Sequence, residues 1–282
     1  MALIDSVTGG RPGHPARTLP PDGAPILAVR DVTVRFGGIV ALDGVSFDVA
    51  AHEIVGLIGP NGAGKTTLFN CLSRLYDPAR GTLAFEGRPL DQTAPHRIAA
   101  LGISRTFQNL ALFPSLSVLQ NVMIGMHCRT RADFVASALR LPRVRAEEGR
   151  IAERAQELVA FFGLQAVATH PAAGLPFGTL KRVELARALA AQPRLLLLDE
   201  PASGLNHEEV EALARLITAI REEQDVTILL VEHHMGLVMQ VSDRVVVLDF
   251  GRKIAEGTPA EIQQHPDVIR AYLGVGPADT AS

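Results

Sequence analysis

Gly59-Pro60-Asn61-Gly62-Ala63-Gly64-Lys65-Thr66-Thr67 fits the pattern G-x-x-x-x-G-K-[ST], a loop that wraps the phosphates of a nucleotide. Its glycines let the backbone turn with no Cβ in the way, so that successive N–H groups can face an anion. The apolar run Ile54–Ile58 ahead of it reads as a strand, and Thr66–Leu72 behind it reads as a helix. That order brings a helix N-terminus, with unpaired donors and the positive end of its dipole, to the phosphates. It also separates the stretch from a glycine-rich turn that merely contains a lysine. Lys65 is then placed for the β- and γ-phosphates and the Thr66 hydroxyl for Mg²⁺.

The chain around this loop has 282 residues, 47% of them hydrophobic, enough to bury the core of one large domain or two small ones. Its 27 basic and 30 acidic residues leave no cationic excess of the kind that binding a phosphate backbone requires, so no nucleic-acid partner is expected. No apolar run reaches the ~18 residues of a membrane span, and the N-terminus lacks the apolar stretch of a secretion signal. A cytosolic protein able to dock on a membrane protein is the expectation. Cys71 and Cys128 have no metal-type spacing and read as ordinary thiols.

Residues 9–25 hold five prolines and four glycines and almost nothing large and apolar, so residues 1–25 are expected to be a disordered tail. From Leu27 the pattern alternates through Val29, Val32, Val34 and Phe36, turns at Gly37-Gly38, and alternates again through Val45, Phe47 and Val49. Period two with glycine turns predicts antiparallel strands. Residues 81–88 read as a hairpin and Ile103–Phe107 as a further strand. Residues 109–174 lose strand character, and Ile151, Ala155, Leu158, Val159 and Phe162 recur at helical spacing, which predicts a helical insertion. A helix is expected over Lys181–Ala191, followed by the wholly apolar Leu195–Leu198, a strand buried on both faces of a parallel sheet. Val210, Leu213, Ile217 and Ile220 form the stripe of the next helix. Strands at 227–231 and 244–248 and helical spacing over 258–273 complete one domain, residues 26–274, ahead of a loose tail at 275–282. No internal repeat is present.

The phosphate loop alone leaves kinases, GTPases, helicases and transport ATPases open. Asp199-Glu200, at the end of the leucine run, narrows the choice. Such a pair can simply cap a strand; beside a phosphate loop it divides into Asp199, an acid for the Mg²⁺ shell, and Glu200, a base for an attacking water. Side chains alternate along a strand, so Glu200 reaches the site only if the chain turns at Pro201.

In its motif order the chain resembles the nucleotide-binding subunits of ATP-binding-cassette transporters, from about Leu27 to Leu273. The motifs are Phe36, the phosphate loop, Gln108 in RTFQN, Leu175-Pro176-Phe177-Gly178, LLLLDEP, Ser203-Gly204-Leu205-Asn206, and His233 in VEHH. RFGGIVALDGVSF, VELARALA and GTPAEIQQHPDVIRAYLG are similar to the branched-chain amino-acid uptake subfamily, whose relatives include urea-type importers. The resemblance implies an α/β fold: a P-loop NTPase (RecA-like) core with an N-terminal antiparallel β subdomain and a helical insertion subdomain, about residues 109–174. It implies that Phe36 stacks on adenine, that residues 59–67 (Gly59, Pro60, Asn61, Gly62, Ala63, Gly64, Lys65, Thr66, Thr67) bind the phosphates of ATP, and that Gln108 lies near Mg²⁺ and the water. His233 would touch the γ-phosphate and Gly178 would close on ATP held by a second cassette, paralogue or copy. Two permease subunits and, indirectly, a solute-binding protein would be the other partners, at the cytoplasmic face of the membrane.

Taken singly, Phe36 reads as a core aromatic and Gln108 as a surface residue. Adjacent His233 and His234 on a strand face opposite ways and do not read as a metal pair. Three features depart from the family. Pro176 replaces a hydroxyl donor and has no N–H, Thr179-Leu180-Lys181 replaces a glutamine-rich run, and His234 stands where aspartate is common. The expected function is an importer ATPase for branched-chain or related amino acids. Urea or short amides are the nearest alternative cargo, and a soluble, non-transport cassette ATPase the alternative of another class.

Overall fold

Alternation along β1 (Leu27–Phe36) and β2 (Ile39–Val49) produces an antiparallel pair, extended by β4 (Arg80–Phe85) and the short β5 (Arg88–Pro89) into a sheet of order β2-β1-β4-β5. The computed structural model describes residues 23–106, 110–126 and 142–273. Most of the expected N-terminal tail, Gln108, Cys128, the polar part of the insertion over 129–141 and the tail at 275–282 lie outside the described residues.

A second sheet has the order β10-β9-β3-β8-β7-β6, built from β3 (Ile54–Ile58), β6 (Ile103–Arg105), β7 (Leu195–Asp199), β8 (Thr227–Val231), β9 (Arg244–Asp249) and β10 (Arg252–Gly257). All its pairings are parallel except β9 with β10. Every residue of β3, β7 and β8 is buried, as unbroken apolar runs demand when both faces are covered. Alternate residues go to opposite layers. Ile54, Ile58, Leu196, Leu198, Ile228 and Leu230 pack with the helices of one face. Val55, Leu57, Leu195, Leu197, Leu229 and Val231 pack against the antiparallel sheet and α1 (Lys65–Leu72) on the other.

A single helical turn, α2 (Ile98–Leu101), precedes β6. The insertion carries α3 (Val118–Ile124) and α4 (Pro142–Phe161), and Ala155, Leu158, Val159 and Phe162 are buried as their spacing predicts. A capping box of Ser117 and Gln120 starts α3. Fully buried Asn121 holds the preceding turn, taking the Phe113 N–H at 2.8 Å and donating to the carbonyls of Phe113, Leu116 and Ser117. The next helix, α5, runs Phe177–Ala190 and so begins ahead of the expected Lys181. Pro176 is its N-cap, with φ −56° and ψ 147°, a conformation proline favours at a position whose N–H would not be needed. β6 in turn ends at Arg105, short of the expected Phe107. Helices α6 (His207–Gln224), α7 (Met235–Val241), α8 (Pro259–Gln264) and α9 (Pro266–Leu273) follow the remaining strands.

Candidate functional site

The phosphate-loop sequence sits at the C-terminal end of β3, between that strand and α1, where a parallel sheet opens its ligand crevice. Gly59 has φ +151°, and a Cβ there would lie 2.1 Å from the Leu248 carbonyl oxygen. Gly64 has φ +101°, and a Cβ there would lie 2.6 Å from the Ala41 carbonyl oxygen. Both neighbours are backbone and cannot swing away, so glycine alone fits either end of the loop. Asn61, Gly62 and Thr66 are exposed at its mouth, Pro60 and Thr67 are half-buried, and Ala63 is buried beneath. The Lys65 ammonium is buried and donates to the carbonyls of Gly59 at 2.6 Å and Pro60 at 2.9 Å. Burial lowers the Lys65 pKa, and the negative charge of Glu200 opposes that shift.

Phe36 is exposed, not the core aromatic its strand pattern alone suggests. Its ring meets that of exposed Tyr76 edge-on, with centroids 5.0 Å apart. An apolar face left open to solvent at the end of β1 is a surface on which a planar ring can stack.

Asp199 ends β7 almost completely buried. Its backbone N–H donates to Thr106 Oγ1 at 3.3 Å, and its carboxylate accepts from the Arg105 guanidinium at 2.6 Å. Arg105 also donates to Asn70 Oδ1 at 2.8 Å and Ser73 Oγ at 3.2 Å and lies over the Phe69 ring. One guanidinium thus joins the ends of β6, β7 and α1. Glu200 takes the turn expected at Pro201 by adopting φ +48°, a left-handed conformation unusual for a residue with a Cβ. Its N–H donates to the Val231 carbonyl at 2.9 Å, and its carboxylate lies 3.8 Å from Nδ1 of exposed His233. The fold therefore gathers the loop, Lys65, Asp199, Glu200 and His233 at one end of the central sheet.

Gly178 lies in the first turn of α5, and a Cβ there would lie 2.5 Å from Glu209 Oε1 at the start of α6. The N–H groups of Thr179 and Leu180 both donate to the Pro176 carbonyl, so Pro176 closes the helix start through its oxygen. His234 supplies a capping bond of its own. Its Nδ1 accepts the Leu237 N–H at 3.2 Å and caps α7.

Two contacts escape sequence reasoning. Arg105 lies in the quoted RTFQN, and a basic residue at the end of a buried strand beside an acid-ended strand is the signal that could have found it. Burial pushes the phenol of partly exposed Tyr272 in α9 up to about 12, and the nearby Gly59 backbone opposes that rise. Nothing local in the sequence marks that pairing. Cys71, in α1, is buried and its thiol is pushed up to about 11 by burial, well away from reactive thiolate character. N-ethylmaleimide at pH 7.5 is expected to leave Cys71 unmodified in the native protein and to label it on unfolding in denaturant, as read by peptide mass spectrometry.

The sequence pattern of the ABC transporter family matches residues 42–203, more than half of the chain. The chain belongs to the ABC transporter ATPase family. The pattern of the branched-chain amino acid ATP-binding cassette transporters matches residues 252–278. Among individual relatives, the high-affinity branched-chain amino acid transport ATP-binding protein BraF of Pseudomonas aeruginosa is 42% identical over 250 residues, covering 89% of this chain and 98% of its own. LivG of Escherichia coli K12, which carries the same description, is 42% identical with the same coverage. A solved ATP-binding cassette of an ABC transporter, MJ1267 in its ADP conformation, superposes with a TM-score of 0.77 at 29% identity, covering 89% of this chain and 99% of that one. CbiO1 from Clostridium perfringens, part of the ABC transporter complex cbiONQ, gives a TM-score of 0.74 at 30% identity, covering 87% and 93%. As an ABC transporter ATPase, the protein binds and hydrolyses ATP. No helix among its described residues is long and apolar enough to cross a membrane.

Proposed function

We propose that this ABC ATPase powers an importer of branched-chain or related amino acids. It would work at the cytoplasmic face of the membrane with a second cassette and two permease subunits, fed by a solute-binding protein. The observation that carries this reading is likeness along nearly the whole chain to BraF and LivG, including the C-terminal stretch matched as branched-chain.

The residues present fit ATP and Mg²⁺: a loop with glycine where any Cβ would strike backbone, a buried ammonium, an exposed hydroxyl at Thr66 and a carboxylate at Asp199. Mg²⁺ bound there would neutralise charge on the phosphate oxygens. Lys65 and the backbone N–H groups of the loop, Pro60 having none, hold the phosphates, and Phe36 offers its exposed face to adenine. Asp199, one carboxylate side engaged by Arg105, would help hold the metal when it is bound. Glu200 takes the proton of the attacking water and His233 contacts the γ-phosphate. Gly178 and the start of α5 close on ATP held by the partner cassette, so that ATP joins the two cassettes and hydrolysis releases them.

The test is ATP hydrolysis by the purified chain with Mg²⁺, alone and assembled in vesicles with the cassette and permease subunits encoded beside its gene. Turnover should rise severalfold on assembly and drive leucine, isoleucine or valine uptake. Uptake of urea or acetamide in place of these would redirect the cargo. Full turnover in isolation, unmoved by permease subunits, would point to the soluble class.

A further inference from the structure

We infer that Glu232 is a positioning residue for ATP hydrolysis, its single buried carboxylate fixing both the turn that aims Glu200 and the loop that carries His233. Glu232 follows β8 and is completely buried. Its acceptors divide between two loops. Oε1 takes the Ala202 N–H at 2.7 Å, while Oε2 takes the N–H groups of His233 at 3.0 Å and His234 at 3.1 Å. A buried carboxylate is costly unless hydrogen-bonded, and here backbone donors from both loops supply the bonds.

The turn on the Oε1 side carries Glu200 at φ +48°, a conformation that persists only when its surroundings over-determine it. Three bonds do so: Glu200 N–H to the Val231 carbonyl at 2.9 Å, Ser203 N–H to the Glu200 carbonyl at 3.1 Å, and Ala202 N–H to Glu232. On the Oε2 side, the bonds to His233 and His234 set the backbone from which the His233 ring projects, with Nδ1 3.8 Å from Glu200 and 3.9 Å from Glu232. The bonded oxygens of one side chain therefore fix the spacing between Glu200 and His233. An apolar residue could fill the space but not hold either loop.

This assignment rests on the roles proposed for Glu200 and His233. Its test uses the full chain assembled with its partner subunits and compares Glu232→Gln and Glu232→Asp with the wild type. The amide of glutamine turns a donor towards one set of backbone donors, and aspartate is too short to span both loops. Either variant should lower kcat about 10²-fold, the cost of a misplaced catalytic group, with KM and the affinity for a fluorescent ATP analogue within twofold. Glu53→Gln, which breaks the pair with Arg244 away from the site, should lower the unfolding temperature without lowering kcat. Combined with His233→Ala, Glu232→Gln should lower kcat by less than it does alone, because only its effect through Glu200 remains. Wild-type kcat in either Glu232 variant, or losses that add fully in the double variant, would overturn the inference. Glu200→Gln in the same assay keeps the two readings apart. If it retains turnover, the site assignment falls and Glu232 with it; if it loses turnover while the Glu232 variants do not, only Glu232 is overturned.

Discussion

Glu200→Gln is expected to lower ATP turnover about 10²–10⁴-fold, the usual contribution of a positioned general base, while leaving ATP affinity within a few-fold of wild type. The substitution keeps shape and removes the group able to accept a proton from water. The geometry that holds phosphates does not depend on that charge. Lys65 is held by the carbonyls of Gly59 and Pro60, and the loop's course is fixed by backbone contacts at Leu248 and Ala41. The left-handed turn at residue 200 is held by main-chain bonds and by Glu232, so the amide should occupy the same place. Phosphate release from the assembled transporter measures the rate, and a fluorescent nucleotide titration measures the affinity. Turnover within threefold of wild type would remove Glu200 from the role of base.

Arg105→Ala is expected to destabilise the fold by ~3–5 kcal/mol, the range for removing one partner of a buried ion pair. At ~2–4 °C per kcal/mol for a domain of this size, the unfolding temperature should fall by roughly 6–20 °C. Side-chain exposures of 9% for Arg105 and 7% for Asp199 place the pair out of water, so the carboxylate left behind would be neither solvated nor paired. The same substitution removes the bonds to Asn70 and Ser73, loosening the C-terminal end of α1. Arg105→Lys should recover only part of the loss, because one ammonium cannot reproduce the guanidinium fork that meets Asp199 and Asn70 together. Calorimetry of the full chain, with and without ATP and Mg²⁺, is the measurement. A shift below 2 °C for Arg105→Ala would mean that Asp199 finds another partner or water.

What was legible in the sequence follows the range of the interactions involved. Leu195–Leu198 announces a parallel strand because burial on both faces leaves no polar position in the run, and the two core layers show the alternation directly. The phosphate loop is legible because its conformation is set by its own glycines and by the strand and helix at its ends. Phe36 misleads when read singly, since alternation predicts which face of β1 it takes but not that the strand's end emerges into solvent. Helix α5 begins earlier than periodicity suggests because its stripe becomes regular only after the first turn, whereas the cap geometry of Pro176 starts the helix at Phe177. Arg105 and Asp199 meet across 94 positions of chain, and pairing them requires knowing that their two strands are neighbours in the sheet. Glu232 was visible only as a letter in VEHH. Its role depends on Ala202, which a separate loop delivers.

The strand carrying the phosphate loop pairs on one side with Thr227–Val231 and on the other with Arg244–Asp249. Translation makes that strand early and both of its neighbours late. At ~5–20 residues per second, the interval is roughly 10–40 s. For that time the growing chain has the glycine loop but not the sheet that shapes it, and non-local pairing must wait for the missing segments. The loop therefore has no formed sheet around it, and no shaped site to offer a nucleotide, until residues 227–249 have been made.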